Sequence, residues 1–451
     1  MTYDEDSAAG RRGLKVDLNV GISRRELLAR SLGAASIGAF SAAAAQSNAD
    51  LPDSSRELWQ WVRSQPVGDL RIAWLDAASG NATLRSAMAA EYRAREIQST
   101  TLPKRMHDDF WKEESARLAA RFAAFAGCDP DEIVFTRGTG EGLSTVAAGL
   151  DLASGDEVIT TSQEHPASLS PWLFQAKRRG IVVKQIVLPT PLSGPEEALG
   201  LMAGAVTERT RVMAFAHVQY ADGTLLPVRE LCQLARQRDI ITVVDGAQAF
   251  GMLEFSLHEL GCDFYATSFH KWLAGPNGSG MLYVKREMLD RVWPLLPRGI
   301  DASPPVPTPT HSLGQDAEPA ALHKMGNVVP HLWPALQGAQ VAIDFHQQLG
   351  RERIEARVRE LTIYARLRLQ QIAGVQLLTP GKPGLWAGIQ TLRLPGRNGA
   401  EVAKGLVDGN RVYVGSLNWP YPEDGSIRIC LHIFNNHDEV ERLLQGLQRF
   451  S

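Results

Sequence analysis

Ile240-Ile241-Thr242-Val243-Val244-Asp245-Gly246-Ala247-Gln248 is a nearly continuous apolar run that stops on a carboxylate. Apolar on successive residues and closed by glycine, it reads as a strand buried on both faces, with Asp245 at its carboxyl edge. Open α/β sheets bind their ligands at that edge. Working outward, further short apolar runs stand at Ile133-Val134-Phe135, Glu157-Val158-Ile159-Thr160, Ile181-Val182-Val183 and Arg211-Val212-Met213-Ala214-Phe215. Helical periods lie among them. Leu118, Phe122 and Phe125 fall on one stripe that ends before Gly127, and further helical segments are expected at Leu143 to Leu150 and Val228 to Gln237. Apolar strands separated by helices indicate an α/β fold with a mostly parallel sheet covered on both faces. Beyond a stretch rich in Pro, Ser and Thr from Gly299 to Thr310, helical patterning resumes from Leu336 through Arg368. Strand-like runs at 389–394, 411–414 and 427–433 then alternate with helical segments at 400–407 and 437–447, which predicts a second, smaller α+β domain.

The chain has 451 residues, of which 44% are hydrophobic and 22% charged, enough to fill more than one packed domain. A formal net charge of -3 gives no electrostatic footprint for nucleic acid or an anionic membrane, both of which require clustered Lys and Arg. Small-molecule chemistry is the better expectation. Cys128, Cys232, Cys262 and Cys430 are scattered without CxxC or zinc-ligand spacing, so neither a disulfide framework nor a metal is expected. The N-terminal region differs from the rest. Arg24-Arg25 precedes a weakly apolar Ala/Gly-rich stretch through Phe40 and a small-residue site at Ala43-Ala44-Ala45, the order of a twin-arginine (Tat) export signal. Such a signal carries folded protein out of the bacterial cytoplasm, so a periplasmic location is expected, with a cytoplasmic one as the alternative where the twin arginine is not used.

The chemistry is carried by a few positions. Thr136-Arg137-Gly138-Thr139-Gly140-Glu141 leads from a strand end into a helix N-terminus, where backbone amides and the helix dipole favour a phosphate. Downstream of Asp245, Thr267-Ser268-Phe269-His270-Lys271 supplies a hydroxyl, an imidazole and an amine, followed by Trp272 and a glycine-rich turn. An amine able to condense with an aldehyde, with a carboxylate to hold a proton on a pyridine ring, is the chemical requirement of pyridoxal 5′-phosphate (PLP). An apolar and aromatic setting would depress the pKa of Lys271 and activate it.

With these motifs the chain resembles the class V aminotransferases of PLP fold type I, a group that includes cysteine desulfurases and isopenicillin N epimerase-like proteins. The resemblance runs from about Leu75 to the C-terminus. It implies an aspartate aminotransferase-like large domain with a mostly parallel, seven-stranded type of sheet, and the smaller α+β domain at the C-terminal end. The division expected is an export signal at 1–45, a short segment at 46–75, a PLP-binding domain at 76–325, and a small domain with an interdomain helix at 326–451. The resemblance assigns Thr139 and Gly140 to the phosphate, His165 of Gln163-Glu164-His165 to stacking on the ring, Asp245 to the ring nitrogen and Gln248 to the ring oxygen. Ser268 and His270 are further cofactor contacts, and Lys271 is the Schiff-base lysine. Gly326-Asn327 resembles the place where a neighbouring subunit reaches the phosphate, which implies a homodimer with shared sites. Arg428 in Ser426-Ile427-Arg428-Ile429 is matched to the substrate carboxylate, a task its planar fork suits, and Asn81 to the substrate loop.

Two departures from the family pattern bear on the reaction. The loop Ser416-Leu417-Asn418-Trp419-Pro420-Tyr421-Pro422 has no thiol where desulfurases carry their nucleophile, so a cysteine desulfurase is not expected. His217-Val218-Gln219-Tyr220 has Gln219 or Tyr220 where relatives place a small amide residue. The expected function is that of an exported PLP enzyme acting at Cα of an amino acid or amino-bearing peptide, with transamination as the leading outcome. Epimerisation, β-elimination or C–S cleavage are the alternatives, and a PLP-fold protein retained only for binding is a further one.

Overall fold

The computed structural model describes residues 51–52, 54–100, 109–295, 320–325 and 329–450. The export signal expected at 1–45, the stretch 299–310 and Asn327 lie outside the described residues. Along the chain the strands are β1 (Ala73–Leu75), β2 (Ile133–Thr136), β3 (Glu157–Thr161), β4 (Val182–Ile186), β5 (Thr210–Ala216), β6 (Ile241–Asp245), β7 (Phe264–Ser268), β8 (Gly280–Val284), β9 (Gln376–Leu377), β10 (Ile389–Arg393), β11 (Val412–Leu417) and β12 (Ser426–Cys430).

Seven of them form one sheet in the order β2-β8-β7-β6-β5-β3-β4. β4, β3, β5, β6 and β7 are parallel, and β8 runs against both of its neighbours. Burial on two faces explains the unbroken apolar runs. On β2, Ile133 and Phe135 enter one core cluster, while Val134 between them enters another on the opposite face. The helix Asp109–Ala126 covers the first face, where the Phe122 ring meets Phe135 at 5.1 Å and Phe269 at 5.0 Å. The helix Thr139–Gly149 covers the other with Leu143, Val146 and Ala147. β4, at an edge, is only partly buried and carries Lys184 and Gln185, as an unpaired edge requires. Parallel strands put their carboxyl ends along one edge, so Thr136, Thr161, Ala216, Asp245 and Ser268 all open toward the same side.

The second sheet has the order β1-β11-β12-β10-β9 and its own apolar cluster. β1 comes from the N-terminal side of the large sheet, yet pairs in parallel with β11, Ala73 opposite Val412. Three residues are too few for a periodic signal, so β1 is not evident in the sequence. The helical pattern at 336–368 is two helices, Val329–Leu349 and Arg351–Leu369, because Gly350 takes a left-handed φ of 86° between them.

Three histidines are held neutral inside this frame. Burial pushes the imidazoles of His217 and His432 down to about 3 and that of His346 down to about 4. Because the folded pKa lies below the unfolded one, each contribution to stability is present near neutrality and is lost as pH falls below about 6.5. Two buried acids act in the opposite sense. Asp222, pushed up to about 6, and Glu164, pushed up to about 7, favour the folded state at low pH and cost stability as pH rises toward those values. Single variants separate the two groups. His432 Nε2 donates to the Trp272 carbonyl at 2.9 Å, a bond that glutamine can replace. His432→Gln is expected to shrink the stability difference between pH 7 and pH 5 by about 2 kcal/mol in urea titrations. An unchanged difference would mean that His432 is not titrating.

Candidate active site

A cavity of about 620 Å³ opens at the carboxyl edge of the large sheet, against β11 and β12 of the second. Its wall contains Thr139, Gly140, His165, Asp245, Gln248, Ser268, His270, Lys271 and Arg428, brought together from widely separated segments. Asn81 is not in that wall. Its backbone amide donates to the His270 carbonyl at 2.9 Å, which holds the segment before Lys271 from behind.

The turn after β2 is fastened to the end of β7. Ser268 Oγ accepts from the Thr139 backbone amide at 2.8 Å and lies 2.8 Å from the Thr139 hydroxyl. The close approach depends on glycine, because a Cβ at Gly280 would stand 2.4 Å from the Thr267 carbonyl and 2.7 Å from the Gly138 Cα. His165 is the N-cap of the helix Pro166–Arg179, and its Nδ1 accepts from the Ala167 amide at 3.1 Å. That bond leaves the ring proton on Nε2 and fixes the ring, which meets Tyr220 edge-on at 4.9 Å. Burial and the nearby Lys271 hold the His165 pKa below the ordinary histidine range.

Asp245 ends β6 with Oδ1 accepting from the Ala247 amide at 2.9 Å and Oδ2 accepting from the Ser168 hydroxyl. Gly246 follows because there is no room for a side chain: a Cβ would stand 1.9 Å from the buried Tyr265 ring. Gln248 donates to the Ala78 carbonyl at 3.0 Å and accepts from Trp272 Nε1 at 2.9 Å, leaving one amide N–H. Lys271 is withdrawn from bulk water, and that desolvation holds its ammonium below the ordinary lysine range against the opposing pull of Asp245. Arg428 is engaged by Tyr220 and by Asp76 and Ser79, two residues for which no such role was legible in the sequence. Its Nη2 donates to Asp76 Oδ1 and to Ser79 Oγ, both at 2.7 Å, and Nη1 donates to the Tyr220 carbonyl at 3.1 Å.

The donor set fits PLP. His270 Nδ1 is buried without a partner among the described residues, and the first turn of the helix Thr139–Gly149 lines the same cavity through Thr139 and Gly140, which suits a phosphate. Asp245 offers carboxylate oxygens that would accept from a protonated ring nitrogen, and Lys271 is the lysine among the described residues of the cavity wall.

The family model described as "Aminotransferase class-V" matches residues 88–443. The chain is 34% identical to isopenicillin N epimerase of Amycolatopsis lactamdurans over 73% of this chain and 83% of that one. It is 31% identical to a probable cysteine desulfurase of Halalkalibacterium halodurans over 71% of this chain and 77% of that one. The apo structure of cysteine desulfurase from Thermococcus onnurineus NA1 superposes with a TM-score of 0.75 at 25% identity, covering 87% of this chain and 97% of that one. These similarities overturn the expectation that desulfurases are excluded. That expectation rested on the single loop 416–422, whereas the likeness to desulfurases extends over most of the chain.

Proposed function

This chain belongs to the class V aminotransferase family, and on that premise we propose that it inverts configuration at Cα of an amino acid or of a peptide with a free amino group. Its cofactor is pyridoxal 5′-phosphate, which when bound supplies a sink for the electron pair left at Cα. Thr139, Gly140, Ser268 and His270 would hold the phosphate, His165 would cover the ring, and Asp245 would keep the ring nitrogen protonated. Lys271 removes the Cα proton, a role that its lowered pKa supports by making the neutral amine available. Arg428 receives the substrate carboxylate. Inversion needs a proton donor besides Lys271, and we assign it to Tyr220, which lines the cavity and whose phenol burial keeps protonated.

The observation that carries this reading is the presence of two proton-exchanging groups, Lys271 and Tyr220, in one cavity of a chain 34% identical to an isopenicillin N epimerase. Single enantiomers of amino acids and short peptides are to be incubated in D2O. Deuterium at Cα with loss of optical purity is the expected result. Keto-acid formation instead would indicate transamination. A second reading, removal of sulfur from a β-carbon, is favoured by the desulfurase relatives, and alanine or pyruvate formed from cysteine would select it. We further propose that the enzyme is an exported homodimer. Light scattering and sequencing of the mature N-terminus test those two points.

A further inference from the structure

Asp245 also borders a second, small cavity of about 10 Å³, whose other lining residues differ from those of the cofactor cavity. It is lined by Thr160, Glu164, Ser168 and Asp245 together with apolar side chains that include Trp172 and Phe215. Asp245 therefore forms a partition between two spaces. The small one has room for a single water, which needs at least two polar partners. Those partners are in place. Thr160 Oγ1 and Glu164 Oε2 are buried and have no partner among the described residues. Ser168, on the same wall, already donates its hydroxyl to Asp245 Oδ2. Glu164 is anchored at its other oxygen, where Oε1 accepts from Thr161 Oγ1 at 2.7 Å, the Ala216 amide at 3.2 Å and Gln219 Nε2 at 3.4 Å.

We propose that one water in this cavity joins Thr160 and Glu164 to Ser168 and Asp245, making Glu164 a positioning residue that sets the charge Asp245 presents to the cofactor ring. A carboxyl buried among apolar side chains and close to a second carboxyl ionises less readily than one in water. Burial, and then the charge of Asp245, push Glu164 up to about 7, so at neutral pH it is poised between its two forms. When Glu164 is protonated, it adds no charge behind Asp245. When Glu164 releases its proton to solvent, a second negative charge stands behind Asp245 and strengthens its hold on a protonated ring nitrogen. The titratable groups around Glu164 are Asp245 from β6, Tyr220 beyond β5 and His165 at the start of the helix Pro166–Arg179, with Lys271 and Arg428 across the cofactor cavity. β3, with Thr160 and Thr161, and the helix Thr139–Gly149, with Leu143, face it with neutral side chains.

The relay rests on the ring lying at Asp245, and it is independent of the reaction catalysed. The holoenzyme carrying PLP labelled with nitrogen-15 in the ring is to be titrated by solid-state NMR between about pH 6 and pH 8, a window centred on the raised carboxyl. The wild-type ring resonance is expected to move with a midpoint near 7, and Glu164→Gln, which keeps size but cannot ionise, is expected to leave it flat. Equal movement in the two proteins overturns the proposal. If Glu164→Gln fails to fold, Thr160→Val removes a partner of the water and must displace the midpoint, and an unmoved midpoint is equally fatal. The cofactor-free protein separates a failure of the relay from a failure of cofactor placement. There the folded pKa of Glu164 lies above the unfolded one, so its contribution is present at low pH and is lost as pH rises through about 7. The effect of Glu164→Gln on that slope is expected to change in an Asp245→Asn background, whereas strict additivity counts against coupling through the cavity.

Discussion

Lys271→Ala is expected to lower turnover by about a thousandfold or more while leaving the fold near wild-type stability. The backbone around position 271 is held by bonds that do not involve the amine. Phe269 N donates to the Ser279 carbonyl at 3.0 Å, Gly275 N to the Phe269 carbonyl at 2.8 Å, and Ala274 N to the Lys271 carbonyl at 3.1 Å. Trp272 is fixed by its indole bond to Gln248, and its carbonyl accepts from His432. Truncation to alanine therefore removes one amine and little else. Circular dichroism and the thermal midpoint should stay close to wild type.

The same variant tests attachment of the cofactor. Borohydride reduction of the wild-type holoenzyme should fix the cofactor to the protein, with the added mass on the peptide that contains Lys271. In Lys271→Ala no peptide should carry it, because Lys271 is the lysine in the cavity wall. Lys271→Arg serves as a control. It keeps a cation in place but cannot supply a neutral amine near pH 7, so it should be as inactive as alanine. Turnover within tenfold of wild type, or trapping on another lysine, would remove Lys271 from its assigned role.

Much of this site was legible in the sequence because doubly buried parallel strands are apolar throughout. The run before Asp245 could be read as a strand with its carboxylate at the binding edge, and the structure places it so, as β6. The Gly138-Thr139-Gly140 turn was legible for the same reason, since β2 before it is apolar on successive residues. What could not be read were partnerships between distant segments. Asp76 and Arg428 are 352 residues apart, and Ser168 and Asp245 are 77 apart, so no local pattern links them. β1 was missed because its three residues take their stability from β11, which lies in the C-terminal part of the chain. The exclusion of desulfurases failed for a related reason. The composition of one short segment at the end of β11 was weighed against a similarity carried by most of the chain.

Arg428→Met is expected to raise KM for a carboxylate-bearing substrate by about a hundredfold and to destabilise the protein by about 3–5 kcal/mol. The two effects have separate causes. Arg428 lies on β12 opposite Gly415 of β11, where a Cβ would come within 3.1 Å of Asp76 Oδ1 and 3.3 Å of Arg428 Nε. Glycine there lets the guanidinium lie across the strand and reach Asp76, and the side chains of the resulting ion pair are only 5% and 4% exposed. Removing the arginine leaves Asp76 as a buried charge without a partner, which is the source of the stability loss. Affinity is lost through the donors that Asp76, Ser79 and the Tyr220 carbonyl leave over. Nε–H is one of these, buried without a partner among the described residues, and a second N–H remains on Nη1. Combining Asp76→Asn with Arg428→Met separates the causes. With both charges gone, most of the stability should return in urea denaturation, since a buried ion pair adds little over neutral groups that pack as well. KM should remain raised by about a hundredfold, because the fork that receives the carboxylate is still missing. Recovery of KM together with stability would show that Arg428 serves only to neutralise Asp76, and that the substrate carboxylate is bound elsewhere.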